Sequence, residues 1–247
     1  MKKYDIVSIN EIGTRPTQQD SVGYDVSSHK GCAFAVLADG MGGLKYGDEI
    51  SSLIVCQGLK RYSELVQIED VNYASAFVEG LNAEVNDLLS QKEGMGGSTY
   101  IGVYLNKRCM QYASVGDSKL YRIRKREGIQ RINVDHNFGR ELDELALLGK
   151  ISLDEAMKNT QRNALTSYMG AESVRLIDAS DERIELKRGD VILLLSDGVS
   201  SALSEDEIAR CFAGRNMKKN AEVLSRCISE KNRKNQDNYS AIAIRIR

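Results

Sequence analysis

The 247-residue chain has no tryptophan, one proline (Pro16) and two histidines, His29 and His136. A metal site built from imidazoles is therefore disfavoured, and any metal must be held mainly by oxygen. The five cysteines, Cys32, Cys56, Cys109, Cys211 and Cys227, are odd in number, widely spaced and without a Cys-x-x-Cys pair. That spacing argues against a zinc ribbon or a disulfide framework and fits a reducing cytoplasm. An excess of one charge is missing too, since 34 Lys and Arg face 35 Asp and Glu for a net charge of −1. Nucleic-acid binders depend on a basic excess, so no nucleic-acid partner is expected. Apolar runs stay well short of the ~20 residues of a membrane helix, and no membrane partner is expected. Met1-Lys2-Lys3 leads straight into an alternating pattern without a signal-peptide core. With 42% hydrophobic residues the chain is long enough for one large core, and one domain over 1–247 is expected.

The hydropathy pattern alternates between strand and helix periods. Residues 4–9 (YDIVSI) alternate, and 32–38 (CAFAVLA) form a short apolar run that stops at Asp39-Gly40, as a buried strand does at a sheet edge. Helix-period apolar positions fill 48–66 and 70–92, where Val71, Phe77, Val78, Leu81 and Val85 trace one face. Strand patterns return at 98–105, 109–115 and 119–124, with connections too short for parallel crossovers. A polar stretch at about 138–160 precedes a second apolar run, 190–196, which stops at Asp197-Gly198. Two amphipathic helices, about 204–213 and 217–233, lead to a last strand at 239–246. This order predicts an α+β fold of layered antiparallel sheets with helices outside. Gly-Met-Gly-Gly occurs at 40–43 and again at 94–97, in different surroundings, and reads as a coincidence.

Four aspartates, Asp39, Asp117, Asp197 and Asp237, sit beyond strand-like runs or in turns, and Asp20 precedes a strand at 21–27. Singly, each is ordinary turn chemistry. Together they are different, because Asp39 and Asp197 end the two most apolar strands, and central strands deliver their ends to a common cleft. Unpaired carboxylates gathered there would repel by roughly 4 kcal/mol per pair at 4 Å and an effective dielectric of 20. A hard divalent cation removes that cost, and oxygen-only ligands suit magnesium or manganese.

With these motifs in order, the sequence resembles the metal-dependent serine/threonine protein phosphatases of type 2C in their compact bacterial form. The resemblance runs through Gly13-Thr14-Arg15 with Gln18-Gln19-Asp20, then Asp39-Gly40-Met41-Gly42-Gly43, Gly97-Ser98-Thr99 and Gly116-Asp117-Ser118. It continues through Asp135-His136, Leu148-Gly149-Lys150-Ile151, Arg162-Asn163-Ala164-Leu165-Thr166, Ser196-Asp197-Gly198 and Asp237-Asn238. It implies two stacked antiparallel sheets flanked by helix pairs, a four-layer αββα sandwich, with a flap subdomain at about 137–168. It also implies two core ions, manganese or magnesium. Asp39 would bridge them, the Gly40 carbonyl would bind one, and Asp197 and Asp237 would hold the other. Asp20 would act through water, Asp117 would hold a weak third ion, and Arg15 would bind the substrate phosphate. Asp39 and Asp237 are the residues expected to carry catalysis.

The expected activity is hydrolysis of phosphoserine and phosphothreonine in proteins by a monomeric cytoplasmic enzyme opposing a serine/threonine kinase. A phosphatase in a sigma-factor partner switch and a non-catalytic regulatory module are the alternatives. Met41 stands where many relatives have a histidine acid, so the leaving-group acid lies elsewhere. His136 reads as a hydrogen-bonded structural residue. A cysteine mechanism at Cys227 and Arg233 has the right spacing, but the intervening Ile-Ser-Glu-Lys-Asn offers no glycine for a phosphate nest.

Overall fold

The computed structural model describes residues 3–64, 73–180 and 182–247. The chain begins with β1 (Tyr4–Glu11), β2 (Asp20–Asp25), β3 (Cys32–Asp39), α1 (Gly47–Glu64) and α2 (Tyr73–Ser90). It continues through β4 (Tyr100–Asn106), β5 (Cys109–Val115), β6 (Lys119–Arg124), β7 (Gly128–Arg131), α3 (Phe138–Leu147) and α4 (Leu153–Lys158). The last part holds β8 (Asp178–Ala179), β9 (Ile184–Glu185), β10 (Val191–Leu195), α5 (Asp197–Ser200), α6 (Glu205–Cys211), α7 (Met217–Glu230) and β11 (Tyr239–Ile246). Val71 and the helix margins expected at 65–66 and 70–72 lie outside the described residues.

One sheet has the order β1-β11-β10-β6-β7 and the other β2-β3-β4-β5-β8, with β9 also on β5. Every pairing between these strands is antiparallel. Alternation decides which side chains go where. Leu193, Leu195, Ala241 and Ala243 turn to α6 and α7, meeting Ile208, Leu224 and Ile228. Their strand neighbours Ile192, Leu194, Ile242 and Ile244 meet Leu37, Ile101 and Val103 of the other sheet. Phe34, Val36 and Ala38 then face Ile50, Ile54, Val78 and Leu81 of α1 and α2. The three apolar layers establish the expected α+β sandwich of two antiparallel sheets between helix pairs. β3 and β10 are buried on both faces, which is why they read as continuous apolar runs rather than as alternation. Among the described residues no helix is long and apolar enough to cross a membrane.

The polar stretch at 138–160 forms two helices rather than one. Asn137 caps α3 by accepting from the Arg140 amide at 3.0 Å. Ser152 and Glu155 form a reciprocal capping box on α4. Arg162 ties the two together, donating to both oxygens of Asp143 (2.9 and 3.0 Å) and to the Ala156 carbonyl (2.8 Å).

Candidate active site

Asp39 is the last residue of β3, and its backbone is fully engaged. Its amide donates to Thr99 Oγ1 (3.0 Å), and its carbonyl accepts from the Thr99 amide (2.8 Å) and Ser98 Oγ (2.9 Å). Only the carboxylate is left to project from the strand end. The Thr99 hydroxyl also bonds Ser118 at 2.7 Å, which fixes the Asp117 turn against the Asp39 strand. Gly40 follows because nothing larger fits: a Cβ there would lie 2.4 Å from the Gly47 carbonyl oxygen. The two Gly-Met-Gly-Gly segments are neighbours in space. The Met41 amide donates to the Gly97 carbonyl (2.9 Å) and the Lys45 amide to that of Met95 (3.2 Å).

Asp20 stands in register with Asp39 as the first residue of β2, not before the strand as its sequence position implies. It is 4% exposed and accepts from Ser196 Oγ at 2.8 Å. Ser196 precedes Asp197, and its own amide and hydroxyl pair with Ser240 on β11. One buried hydroxyl thus couples the two sheets at the end where the aspartates gather.

Arg15 and Asp237 are brought together across the chain ends. Gly13 has φ +63°, and a Cβ on it would sit 2.2 Å from the Asp237 carbonyl oxygen. Asn238 clamps the same loop, donating to the carbonyls of Ile12 (2.8 Å) and Thr17 (3.0 Å) and accepting from the Gln19 amide (2.8 Å). Arg15 Nη2 then donates to Asp237 Oδ2 at 2.6 Å. His136 has the structural place expected of it. Its Nδ1 accepts from the Gly116 amide (3.2 Å) and its own amide donates to the Gly116 carbonyl (2.9 Å), so it holds the turn before Asp117. Burial pushes its imidazole below the usual range.

These elements enclose a cleft of about 390 Å³ lined by Arg15, Asp39, Gly40, Met41, Asp117, Asn163, Asp197 and Asp237, among others. Asp20 is buried behind this lining, in register with Asp39. Burial, then repulsion from Asp20, Asp197 and Asp117, holds the Asp39 carboxyl well above the carboxylate range. Asp197 is raised by burial and then by Asp237 and Asp20. Asp20 is raised by burial despite the Ser196 and Ser240 hydroxyls. Asp117 is pushed up to about 6 by burial and by Asp197. Asp39 and Asp197 are ringed by protein and yet open to water on the cleft side.

The donor set fits hard cations. The gathered carboxylates raise one another's proton affinity, and among the described residues the fixed cations beside them are Arg15 at the rim and Lys119 near Asp117. Among the described residues no three such side chains already converge as ligands of one ion. Carboxylate oxygens alone suit magnesium or manganese, octahedral ions of which magnesium usually takes one or two carboxylates and keeps several waters. Ser196, Ser240, Thr99 and Asn238 shape the site as much as the aspartates do, and the part each plays leaves no signal in the sequence. Small polar residues beside Asp-Gly read only as turn formers, and their partners lie on other strands.

A family model described as protein phosphatase 2C matches residues 12–236. The chain is 28% identical over 211 residues to protein phosphatase PhpP of Streptococcus pneumoniae, covering 83% of this chain and 82% of that one. The fold superposes on serine/threonine phosphatase Stp1 from Staphylococcus aureus with a TM-score of 0.81 at 25% identity, over 100% of this chain and 96% of that one. It also superposes on the catalytic domain of the serine threonine protein phosphatase PstP, solved with two manganese ions, with a TM-score of 0.75 at 21% identity over 98% of each chain. With the αββα sandwich, the aspartate-lined cleft and a family match over nearly its whole length, the chain belongs to the protein phosphatase 2C family of metal-dependent serine/threonine protein phosphatases.

Proposed function

We propose that this cleft hydrolyses phosphoserine and phosphothreonine in proteins at a centre of two manganese or magnesium ions. The observation that carries the proposal is the convergence of Asp39, Asp117, Asp197 and Asp237 on one cleft at the end of the sandwich, with the buried Asp20 in register with Asp39. Asp39 and the Gly40 carbonyl, with Asp197 and Asp237, are the groups placed to hold the pair, and Asp20 supports them from below. Such a pair supplies charge neutralisation and an acidified water at neutral pH. The relative bound to two manganese ions supports the choice of metal. The residues 137–168 form the flap beside the cleft within a single domain. Phosphoserine and phosphothreonine in a protein are products of a protein kinase, so a serine/threonine kinase is the reaction that this enzyme opposes.

Arg15 offers a planar fork of donors for phosphate oxygens. Asp237 holds it over the cleft mouth until substrate arrives. Arg15→Ala should lower kcat/KM by about tenfold to a hundredfold, chiefly through KM. Steady-state kinetics with a phosphothreonine peptide would show it, and unchanged constants would mean that the arginine serves only Asp237.

Asp117 is placed to serve the departing alkoxide, the role that Met41 cannot fill. On the cleft wall beside Asp197, Asp117 would hold a third, weakly bound ion on the side of the leaving group. Asp117→Ala should keep two tightly bound manganese ions in calorimetry and leave KM intact. It should lose most of kcat on a phosphothreonine peptide but much less on p-nitrophenyl phosphate, whose phenolate leaves unaided. Loss of the first two ions together with Asp117 would make it a core ligand instead.

A further inference from the structure

A second polar concavity, of about 360 Å³, adjoins the cleft, and Asn163 lines both. Its walls carry Arg131, Asp135, Asn137, Arg140 and Arg162. The carboxylates in this wall are already spent. Asp135 accepts from Lys119 (2.9 Å) and from Arg131 Nη2 (2.6 Å), and Asp143 accepts twice from Arg162. Two cations share the one carboxylate of Asp135, which leaves the wall with an excess of positive charge. Among the described residues, Arg140 bonds one carboxylate, that of the exposed Glu144 at 3.1 Å, and reaches the Asp135 carbonyl at 3.5 Å. Arg131 also donates from Nε to Asn133 Oδ1 (2.7 Å) and stands 5.4 Å from the centre of the Tyr121 ring. The concavity runs on past Arg131 into a shallow groove that Arg122 also lines, and the buried Arg122 Nε has no partner.

The place of Arg140 in its helix points the same way. It is the third residue of α3, directly over the Asn137 cap. Cations are unfavourable in a first helical turn, where carboxylates belong. A residue that breaks a local rule without a strong partner is expected at a functional position.

We propose that this concavity is a subsite for a second anionic group on the substrate chain, either an acidic side chain or a further phosphoryl group near the residue being dephosphorylated. The inference rests on the active-site reading above, since Asn163 makes the subsite continuous with that cleft. An extended peptide advances about 3.3–3.6 Å per residue, so a group within a few residues of the phosphothreonine reaches the neighbouring concavity. Arg140 and Arg131 would provide charge-assisted bonds, with the Asn163 amide at the junction.

The test uses three phosphothreonine peptides, with neutral flanks, with glutamates or with a second phosphothreonine, and p-nitrophenyl phosphate as a substrate without a chain. The wild-type enzyme should have kcat/KM about tenfold higher on an anionic peptide than on the neutral one, the effect of one charge-assisted bond. Enhancement by glutamate identifies an acidic side chain as the natural occupant, and enhancement by the second phosphothreonine alone identifies a phosphoryl group. Arg140→Glu should abolish the preference and leave p-nitrophenyl phosphate hydrolysis within about twofold, because Arg140 is exposed and a carboxylate suits that helical turn. Arg140→Lys should restore part of the preference. Equal rates on all three peptides, or an undiminished preference in Arg140→Glu, would overturn the subsite. A fall on p-nitrophenyl phosphate as large as on the peptides would also overturn it, by placing Arg140 in the cleft itself. An inactive wild-type enzyme would instead contradict the active-site reading.

Discussion

Asp39→Asn should cut kcat by about a hundredfold to ten-thousandfold on any phosphomonoester, the span seen for single acid–base and electrostatic catalytic groups. The substitution is nearly isosteric, and the backbone of Asp39 is held by Thr99 and Ser98 whatever the side chain. The fold should therefore survive. What changes is the charge facing Asp20, Asp197 and Asp117. Removing it relieves the repulsion that raises these carboxyls and so should not destabilise the metal-free protein. Manganese affinity should fall at the same time, because the shared carboxylate is lost. A folded mutant that keeps more than about a tenth of wild-type kcat would place the chemistry elsewhere.

Arg124→Ala should destabilise the protein by about 3–5 kcal/mol, the usual cost of stranding one member of a buried ion pair. Asp190 is 1% exposed, and Arg124 meets both of its oxygens, from Nε at 2.9 Å and Nη2 at 2.7 Å. Among the described residues, the Lys187 amide at 2.8 Å is the one other donor to this carboxylate. The pair joins the end of β6 to the residue before β10, and neither member lines the cleft. Urea denaturation should show the loss as a lower midpoint with an unchanged slope. Arg124→Ala with Asp190→Ala should recover part of it, since no unpaired charge then remains. A loss below about 1 kcal/mol would mean that water reaches Asp190 in the mutant.

The cleft was legible where a single segment carries its own signal. A run of apolar residues stopping at Asp-Gly marks β3 and β10, because a strand buried on both faces has nothing polar until it leaves the core. The order of strands in each sheet was not legible, because β1 pairs with β11 from opposite ends of the chain. The two-residue strands β8 and β9 are too short to show a period. The resemblance implies a phosphate-binding Arg15, but its ion pair with Asp237 depends on Gly13 and Asn238 closing a gap of more than 220 residues. The repeated Gly-Met-Gly-Gly read as coincidence because a match of four residues says nothing about pairing in space. The small polar residues that orient the aspartates were hidden for the same reason, since their partners are set by the fold.

Hydrolysis of a phosphothreonine peptide by enzyme stripped with a chelator, then supplied with manganese, tests the metal-centre assignment most directly. The carboxylate cluster predicts no turnover above background in the stripped enzyme and full recovery on adding manganese, with no recovery in Asp39→Asn at the same concentration. Undiminished turnover after exhaustive chelation would contradict it.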